Sequence, residues 1–223
     1  STVPARSVTS IGGGVETEGR WEGLSYRGLA SYSTRSLSTG NLGSTDNVFT
    51  GQIGLGQRWN EFDLGADLDL RLRGYRGDGY PYLSLSCNGH FVNSSIRASA
   101  LVGLQWASST AGDDRFGVQV GGRLDAFIHS AFTVEAHAKS GLRPIDMQQL
   151  LRENPYVSDT LTIDMPYDVV HVGGSVMFHP VLDVTASAGV DFRRTDRDVV
   201  WTPSANSTFE PTYLSTTTLT ING

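Results

Sequence analysis

The sequence predicts an all-β protein, an antiparallel up-and-down transmembrane β-barrel, and three patterns carry this prediction. Apolar and polar residues alternate over long segments, tight turns alternate with longer loops, and aromatic residues stand at both ends of the apolar rows. About eleven strands can be read from this alternation. We therefore treat residues 1–223 as a single transmembrane β-barrel domain or a fragment of one.

The clearest alternation is FDLGADLDLRLRGY, residues 62–75. The apolar residues share one face: Phe62, Leu64, Ala66, Leu68, Leu70 and Leu72. The charged residues share the other: Asp63, Asp67, Asp69, Arg71 and Arg73. A period of two indicates a β-strand, because successive side chains point to opposite sides of a sheet. The stretch alone does not show whether the apolar face packs in a soluble core or contacts lipid.

The same alternation recurs along the chain in segments that each end at a turn or loop signal. They cover residues 7–21, 24–38, 47–59, 62–76, 80–92, 95–108, 115–129, 131–142, 166–179, 181–194 and 208–222. Such strands exceed the five or six residues that are usual in soluble sheets. They match a tilted strand that crosses a membrane, which needs about nine to eleven residues.

The connections between these strands are of two kinds in strict alternation. Tight turns are predicted at Glu22-Gly23, Asn60-Glu61, Asn93-Ser94, Ser130 and Pro180. The longer connections are STGNLGSTDN, RGDGYP, SSTAGDDR, LRPIDMQQLLRENPYVSDT and TDRDVVWTPSANST. An up-and-down sheet places all tight turns at one end and all long loops at the other, as outer-membrane barrels do.

The fourth long connection contains a predicted helix. Pro144 is suited to its first turn, and Asn154-Pro155 ends it. Such a helix could fold over the mouth of the barrel or contact a partner. The simpler alternative is an outer loop stabilised by one helical turn.

Aromatic residues mark both ends of the apolar rows. Beside the tight turns stand Trp21, Trp59, Phe62, Phe91, Phe132 and Phe178, and toward the long loops stand Tyr32, Trp106, Phe116 and Phe192. Two belts that flank a band of smaller apolar residues are typical of membrane–water interfaces. The alternative is that these rings close the ends of a soluble barrel.

The opposite rows are polar and are predicted to line the lumen. The charged and imidazole members are Arg58, Asp63, Asp67, Asp69, Arg71, Arg73, Arg97, Arg123, Asp125, Glu135, His137, Lys139, His171, Asp191 and Arg193. No charged residue falls in the middle of an apolar row. In lipid, an Arg or Lys there would cost about 2 to 4 kcal/mol at the midplane.

Composition narrows the class of protein further. The net charge of −6 argues against a nucleic-acid binder, which needs a basic surface. The one cysteine, Cys87, rules out an internal disulfide framework. No run approaches the roughly 20 apolar residues of a membrane-spanning helix. We therefore expect the chain to contact lipid through strands in the cell outer membrane.

No cofactor, metal site or catalytic site is predicted. His129, His137, His171 and His179 come from three consecutive strands, and neighbouring imidazoles can bind a transition metal. The simpler interpretation is that histidine is another polar lumen residue. No serine lies in a nucleophile-elbow context, so an enzyme is not expected, although a rim esterase or protease remains an alternative.

The alternation, the two belts and the loop ending in LRENPYVSDT resemble the barrel part of TonB-dependent receptor-like outer-membrane proteins. That resemblance implies a barrel of about twenty-two strands that encloses a plug, of which this chain would supply the second half. An odd strand count also points to a larger barrel, since bacterial single-chain barrels have even numbers.

The resulting functional hypothesis is transport of a small solute across the outer membrane, by a channel or by receptor-like uptake. Charged lumen rows would steer the solute. The alternative is a structural barrel that anchors other proteins of an envelope complex. A pore conducts ions, whereas an anchoring barrel stays silent and copurifies with its partners.

Overall fold

The computed structural model describes residues 6–39, 42–129, 131–145, 147–154, 156, 161–181, 184–204 and 208–222. The strands are β1 Arg6–Trp21, β2 Leu24–Thr39, β3 Leu42–Trp59, β4 Phe62–Tyr75, β5 Asp78–Gly79, β6 Tyr82–Val92, β7 Ile96–Ser108, β8 Asp114–His129, β9 Phe132–Leu142, β10 Tyr167–Val181, β11 Val184–Pro203 and β12 Phe209–Asn222. A short helix, α1, spans Met147–Glu153.

All strands belong to one antiparallel sheet, which confirms the predicted fold class. The order is β1-β2-β3-β4-β6-β7-β8-β9-β10-β11-β12, and the two-residue β5 pairs with β4. Every long strand therefore lies beside its neighbour in sequence, as in an up-and-down barrel. In the part of the chain that the structure describes, no ladder joins β1 to β12, so these two strands form the edges of the sheet.

Two of the predicted long loops are mostly strand. β3 begins at Leu42 rather than at 47, and β11 continues to Pro203 rather than ending at 194. Asp46 pairs with Arg35, and Trp201 pairs with Pro211. The Gly, Asn and Asp residues of these segments are unfavourable in strands, but pairing with a long neighbour satisfies their backbone groups.

The tight turns at one end of the sheet follow the prediction where the structure describes them. Glu22 and Gly23 have φ of 48° and 88°, and Asn60 has φ of 54°, which is the left-handed backbone that two-residue hairpins use. At the third turn, Asn93 Oδ1 accepts hydrogen bonds from the amides of Ser95 and Ile96. The predicted turn at Ser130 lies outside the described residues. The tight turn predicted at Pro180 is wrong, because β10 runs through position 180 to Val181, while residues 182 and 183 lie outside the described residues.

Residues of the apolar rows are exposed to solvent, whereas the polar rows contain buried residues. Leu104 is 66% exposed and Phe116 is 82% exposed on the apolar side. On the opposite side, Arg73, Ser84 and Gln105 are buried. A soluble sheet that used its apolar rows as a core would show the reverse.

The predicted aromatic belts form contacts along the outer face. Register places Phe62 beside both Trp59 and Phe91, and the Phe62 and Phe91 ring centroids are 4.9 Å apart. Phe132 stacks on Phe178 at 4.5 Å. Two pairs of residues in the belt beside the tight turns are therefore in ring contact across neighbouring strands. Separately, none of the helices in the described chain has the length and hydropathy of a membrane span.

Candidate functional site on the polar face

The candidate site is the side of the sheet that carries the buried polar residues, which we call the polar face. Several of its predicted charges pair between adjacent strands. Arg58 on β3 lies 3.8 Å from Asp63 on β4, and Arg123 on β8 lies 3.3 Å from Glu135 on β9, while it also contacts Asp125 on its own strand at 2.9 Å. These pairs keep ionised side chains partly hydrated rather than fully desolvated, which limits the cost of holding them on one face.

Two charged contacts span three strands because a glycine occupies the middle strand. Arg27 on β2 reaches to 3.7 Å from Asp67 on β4, and Gly54 on β3 is the register partner of both. A Cβ at Gly54 would stand 2.6 Å from Asp67 Oδ1. The missing side chain therefore provides the space in which the two charges approach.

The second contact of this kind is a cluster of His137 on β9, His171 on β10 and Asp191 on β11. Gly173 is the register partner of both His137 and Asp191. The Nε2 atom of His137 is 3.0 Å from Asp191 Oδ2, and the Nε2 atom of His171 is 2.8 Å from Oδ1. Three predicted lumen residues thus meet at one point. His129 and His179, the other two histidines of these strands, are not part of this cluster.

A bulge in β10 adds Asp168 to the polar face, although the alternation of the sequence assigns it to the opposite face. The pairing shifts between Asp168 and His171, so that an even-numbered and an odd-numbered residue both reach the polar face. Asp168 is buried and accepts hydrogen bonds from Arg193, at 2.8 and 3.0 Å, and from Thr195, at 2.8 Å. Arg193 is thereby held in place by a partner that sequence reasoning missed.

The remaining predicted residues divide between local pairs and single positions. Arg71 bonds to Asp69 on its own strand at 2.8 Å and lies over the Tyr82 ring. Arg97 lies over the Phe127 ring, 5.2 Å from its centroid. Asp67 also accepts a hydrogen bond from Asn88. Lys139 is exposed beside His171 in the register.

The segment between β9 and β10 packs against the polar face at the loop end of the sheet. One core combines buried apolar residues of this segment with five residues outside it. Those of the segment are Ile145, Met147, Leu150, Leu161, Ile163 and Met165; the others are Tyr75, Tyr82, Ala107 and Leu142, which lie in strands, and Tyr80, which follows β5. We call the described residues of this stretch, 143–145, 147–154, 156 and 161–166, the covering segment. The predicted short helix is present, although it begins at Met147 rather than at Pro144, and its Leu150 is 0% exposed. The helix therefore folds back onto the sheet instead of standing out as a free loop.

Polar contacts fix the covering segment in this position. The guanidinium of Arg73, which is 5% exposed, donates to the carbonyl of Ile145 at 2.6 Å. Gln105 accepts from the Leu142 amide at 2.6 Å and donates to the Tyr82 hydroxyl at 2.8 Å. Thr110 and Ile163 exchange backbone and hydroxyl hydrogen bonds. Buried polar atoms around the segment are thus bonded across elements, which defines one docked arrangement.

Hydrogen bonds between charged residues at the loop end also hold the covering segment to the strands. Arg197 donates to Asp164 at 2.7 Å, and this hydrogen bond raises the pKa of the Arg197 guanidinium. Burial alone would raise the pKa of Asp198, but a hydrogen bond from Thr216 and the charges of Arg143 and Arg193 outweigh it and lower that pKa. The Tyr213 hydroxyl donates to the carbonyl of Thr162 at 3.1 Å.

Solved structures share this architecture. The siderophore receptor PirA from Pseudomonas aeruginosa superposes with a TM-score of 0.63 at 12% identity, over 94% of this chain and 42% of that one. The copper transporter OprC gives a TM-score of 0.63 at 11% identity, over 95% of this chain and 42% of its own. No family model and no curated protein matches the sequence.

At these identities the likeness concerns the fold alone. This chain spans less than half the length of either similar structure. Within that span, its eleven long strands follow one another as antiparallel neighbours, which is the architecture of an outer-membrane barrel wall. The fold is therefore that of the barrel part of TonB-dependent receptors, as the sequence resemblance implied.

Proposed function

We propose that this chain forms part of the wall of an outer-membrane barrel that takes part in small-solute uptake, as a channel or as a TonB-dependent receptor-like transporter. The observation that carries the proposal is the division of the sheet faces. Long apolar rows are exposed on one side, while Arg, Asp and His residues collect on the other. Such an outer face is stable in hydrocarbon, and such an inner face needs water.

On this proposal the predicted polar residues line an aqueous path, and the covering segment closes its outer end. Leu150 and Met147 fix the segment through apolar packing, and Arg73 fixes it through a hydrogen bond. A solute would then pass only when the segment moves. The names of the two similar structures, a siderophore receptor and a copper transporter, support uptake of a small solute.

The sheet that the structure describes has two edge strands, β1 and β12, and a closed barrel needs a hydrogen-bonded partner for each of them. Backbone groups left unpaired in hydrocarbon each cost several kcal/mol. The ladder of described residues leaves one side of β1 and one side of β12 without a strand. We propose that additional strands close the barrel between them.

Ion conductance in planar lipid bilayers tests the transport proposal, measured on the assembled barrel that contains this chain and the additional strands proposed to close it. Leu150→Asp places a charge in the buried contact of the covering segment and should raise conductance above that of the wild-type protein. Arg152→Asp changes an exposed position of the same helix and should leave conductance unchanged. A barrel that only anchors envelope proteins would be silent in all three forms, and this result would overturn the proposal.

A further inference from the structure

We propose that His137, His171 and Asp191 form a binding site for a divalent transition-metal ion on the polar face. The three residues come from three neighbouring strands, β9, β10 and β11. One donor atom from each lies within 4.8 Å of the others. The proposal concerns this cluster alone and does not rest on the transport function.

The donor atoms are of the right kind for such an ion. Imidazole nitrogens bind zinc, copper, nickel and iron, and two imidazoles with one carboxylate are a recurrent donor set for these metals. Calcium and magnesium prefer sites made entirely of oxygen atoms. The ligand chemistry therefore selects a first-row transition metal over the harder cations.

The spacing of the donors is also suitable. Both Nε2 atoms lie beside the Asp191 carboxylate, at 3.0 Å for His137 and 2.8 and 2.9 Å for His171. An ion with bonds of about 2.0 to 2.2 Å holds neighbouring ligand atoms at roughly 3 Å. The carboxylate and each imidazole already have this separation. A ring nitrogen of His137 lies within 4.8 Å of a ring nitrogen of His171, so side-chain rotations that draw the imidazoles together would complete a three-donor site.

Gly173 shapes the position that the ion would occupy. It lies between His137 and Asp191 in the register of the three strands. A Cβ at this position would stand 2.6 Å from Asp191 Oδ2, 2.6 Å from His137 Cε1 and 2.9 Å from its Nε2. Any other residue at 173 would therefore intrude between the donors. Because glycine has no side chain, it leaves a space that is bordered by the His137 imidazole and the Asp191 carboxylate.

A cation at this site would replace the protons between the two Nε2 atoms and Asp191, and it would lie near Lys139, the register partner of His171. The Nε2 atom of His171 donates to the Asp191 carboxylate, so an ion would replace the proton on Nε2 and the neutral ring would carry its proton on Nδ1, which is buried and has no hydrogen-bond partner among the described residues. The nearest arginine on β11, Arg193, is bound to Asp168. The Asp191 carboxylate is paired with the two imidazoles. When both imidazoles are neutral, the negative charge of the carboxylate is not neutralised by them and can attract a cation.

The site is reachable from the polar face. The His137 side chain is 41% exposed and borders a groove of about 370 Å³ whose walls include His90, Arg123 and Lys139. His171 is 17% exposed and lies deeper. An ion in this groove would meet His137 first and then complete its coordination at His171 and Asp191.

Zinc and cobalt binding to the purified protein in detergent test the proposal. We expect one Zn²⁺ per chain in competition with a chromogenic chelator, and Co²⁺ absorption bands that indicate nitrogen and oxygen ligands. His137→Ala, His171→Ala and Asp191→Asn should each weaken Zn²⁺ binding by more than about 10-fold, since even loss of an outer-shell partner costs 10- to 100-fold. The matched control, His179→Ala, removes a histidine of β10 that lies outside the cluster and should bind like the wild type.

A second pair of variants tests whether the space at Gly173 is needed for metal binding, without removing a donor atom. Gly173→Ala should weaken Zn²⁺ binding as strongly as loss of a ligand. Gly121→Ala also adds a methyl group to the polar face, where it meets only ordinary contacts at 3.8 and 3.9 Å, and should leave binding unchanged. Heat-modifiable gel mobility confirms folding of each variant. Equal zinc affinity in the wild type, His137→Ala and Asp191→Asn would overturn the proposal.

Discussion

Arg73 on β4 donates a hydrogen bond from Nη1 to the carbonyl oxygen of Ile145, 2.6 Å away, although 72 positions separate the two residues. The bond joins a strand of the barrel wall to the covering segment. Arg73 belongs to the alternating segment 62–75, so one of its charged residues both lies on the polar face and holds the covering segment at the loop end.

Replacing Arg73 with methionine should loosen the covering segment. The Ile145 carbonyl would lose a buried donor, and such a loss costs about 1 to 3 kcal/mol. Hydrogen exchange of the α1 amides should accelerate. Arg71→Met is the matched control, because Arg71 pairs with Asp69 on its own strand at a more exposed position, where such pairs contribute about 0 to 1 kcal/mol. Equal exchange in both variants would contradict this role for Arg73.

Replacing Leu150 with alanine should destabilise the same region through packing. A fully buried leucine that is truncated to alanine costs about 2 to 5 kcal/mol. A seven-residue helix has little stability of its own, so α1 depends on this contact. Limited proteolysis should cut the variant within the covering segment faster than the wild type. The exposed Arg152→Ala on the same helix should be cut at the wild-type rate.

The two faces of β4 should respond in opposite ways to substitution. Leu68 is on the exposed apolar row, so Leu68→Arg should impair insertion into lipid by about 2 to 4 kcal/mol. Asp67→Asn, one residue away on the polar face, should assemble because an amide can still bond to Asn88. Heat-modifiable mobility on gels reports assembly. Equal tolerance of the two changes would indicate that the apolar face does not contact lipid.

The loop end should become less stable in acid through Asp198. Its pKa in the folded protein lies below the usual value because Thr216 and the charges of Arg143 and Arg193 outweigh burial. A lowered carboxyl pKa contributes stability above the unfolded value of about 3.9 and loses it as the pH falls through the folded value. The wild type should therefore unfold at a higher temperature than Asp198→Asn at pH 6. That gap should shrink below about pH 4, and a gap that stays constant would contradict the assignment.

Labelling from outside intact cells should distinguish the two ends of the sheet. With Cys87 replaced by alanine, a cysteine at the exposed position Arg152 should react with an impermeant maleimide. A cysteine at Glu61, in a tight turn at the opposite end, should stay unlabelled until the outer membrane is opened. The reverse pattern would invert the proposed topology.

The sequence by itself determined the strands and their two faces. Residues 62–75 form a strand within one residue of the prediction, and Leu68 and Asp67 lie on the opposite faces that alternation assigns to them. The turn at Glu22-Gly23 was equally readable. These features are local, because side-chain alternation and turn conformation depend on the residues that are adjacent in the chain.

Only the tertiary structure decided which polar residues meet. The bulge in β10 brings Asp168 onto the face of His171, against the alternation. The absence of a side chain at Gly173 lets His137 reach Asp191 across an intervening strand. The covering segment acquires its buried position through Leu150 and Arg73, and β11 extends to Pro203 because β12 supplies hydrogen-bond partners. Each outcome depends on register and packing between segments far apart in the chain, which local sequence patterns do not encode.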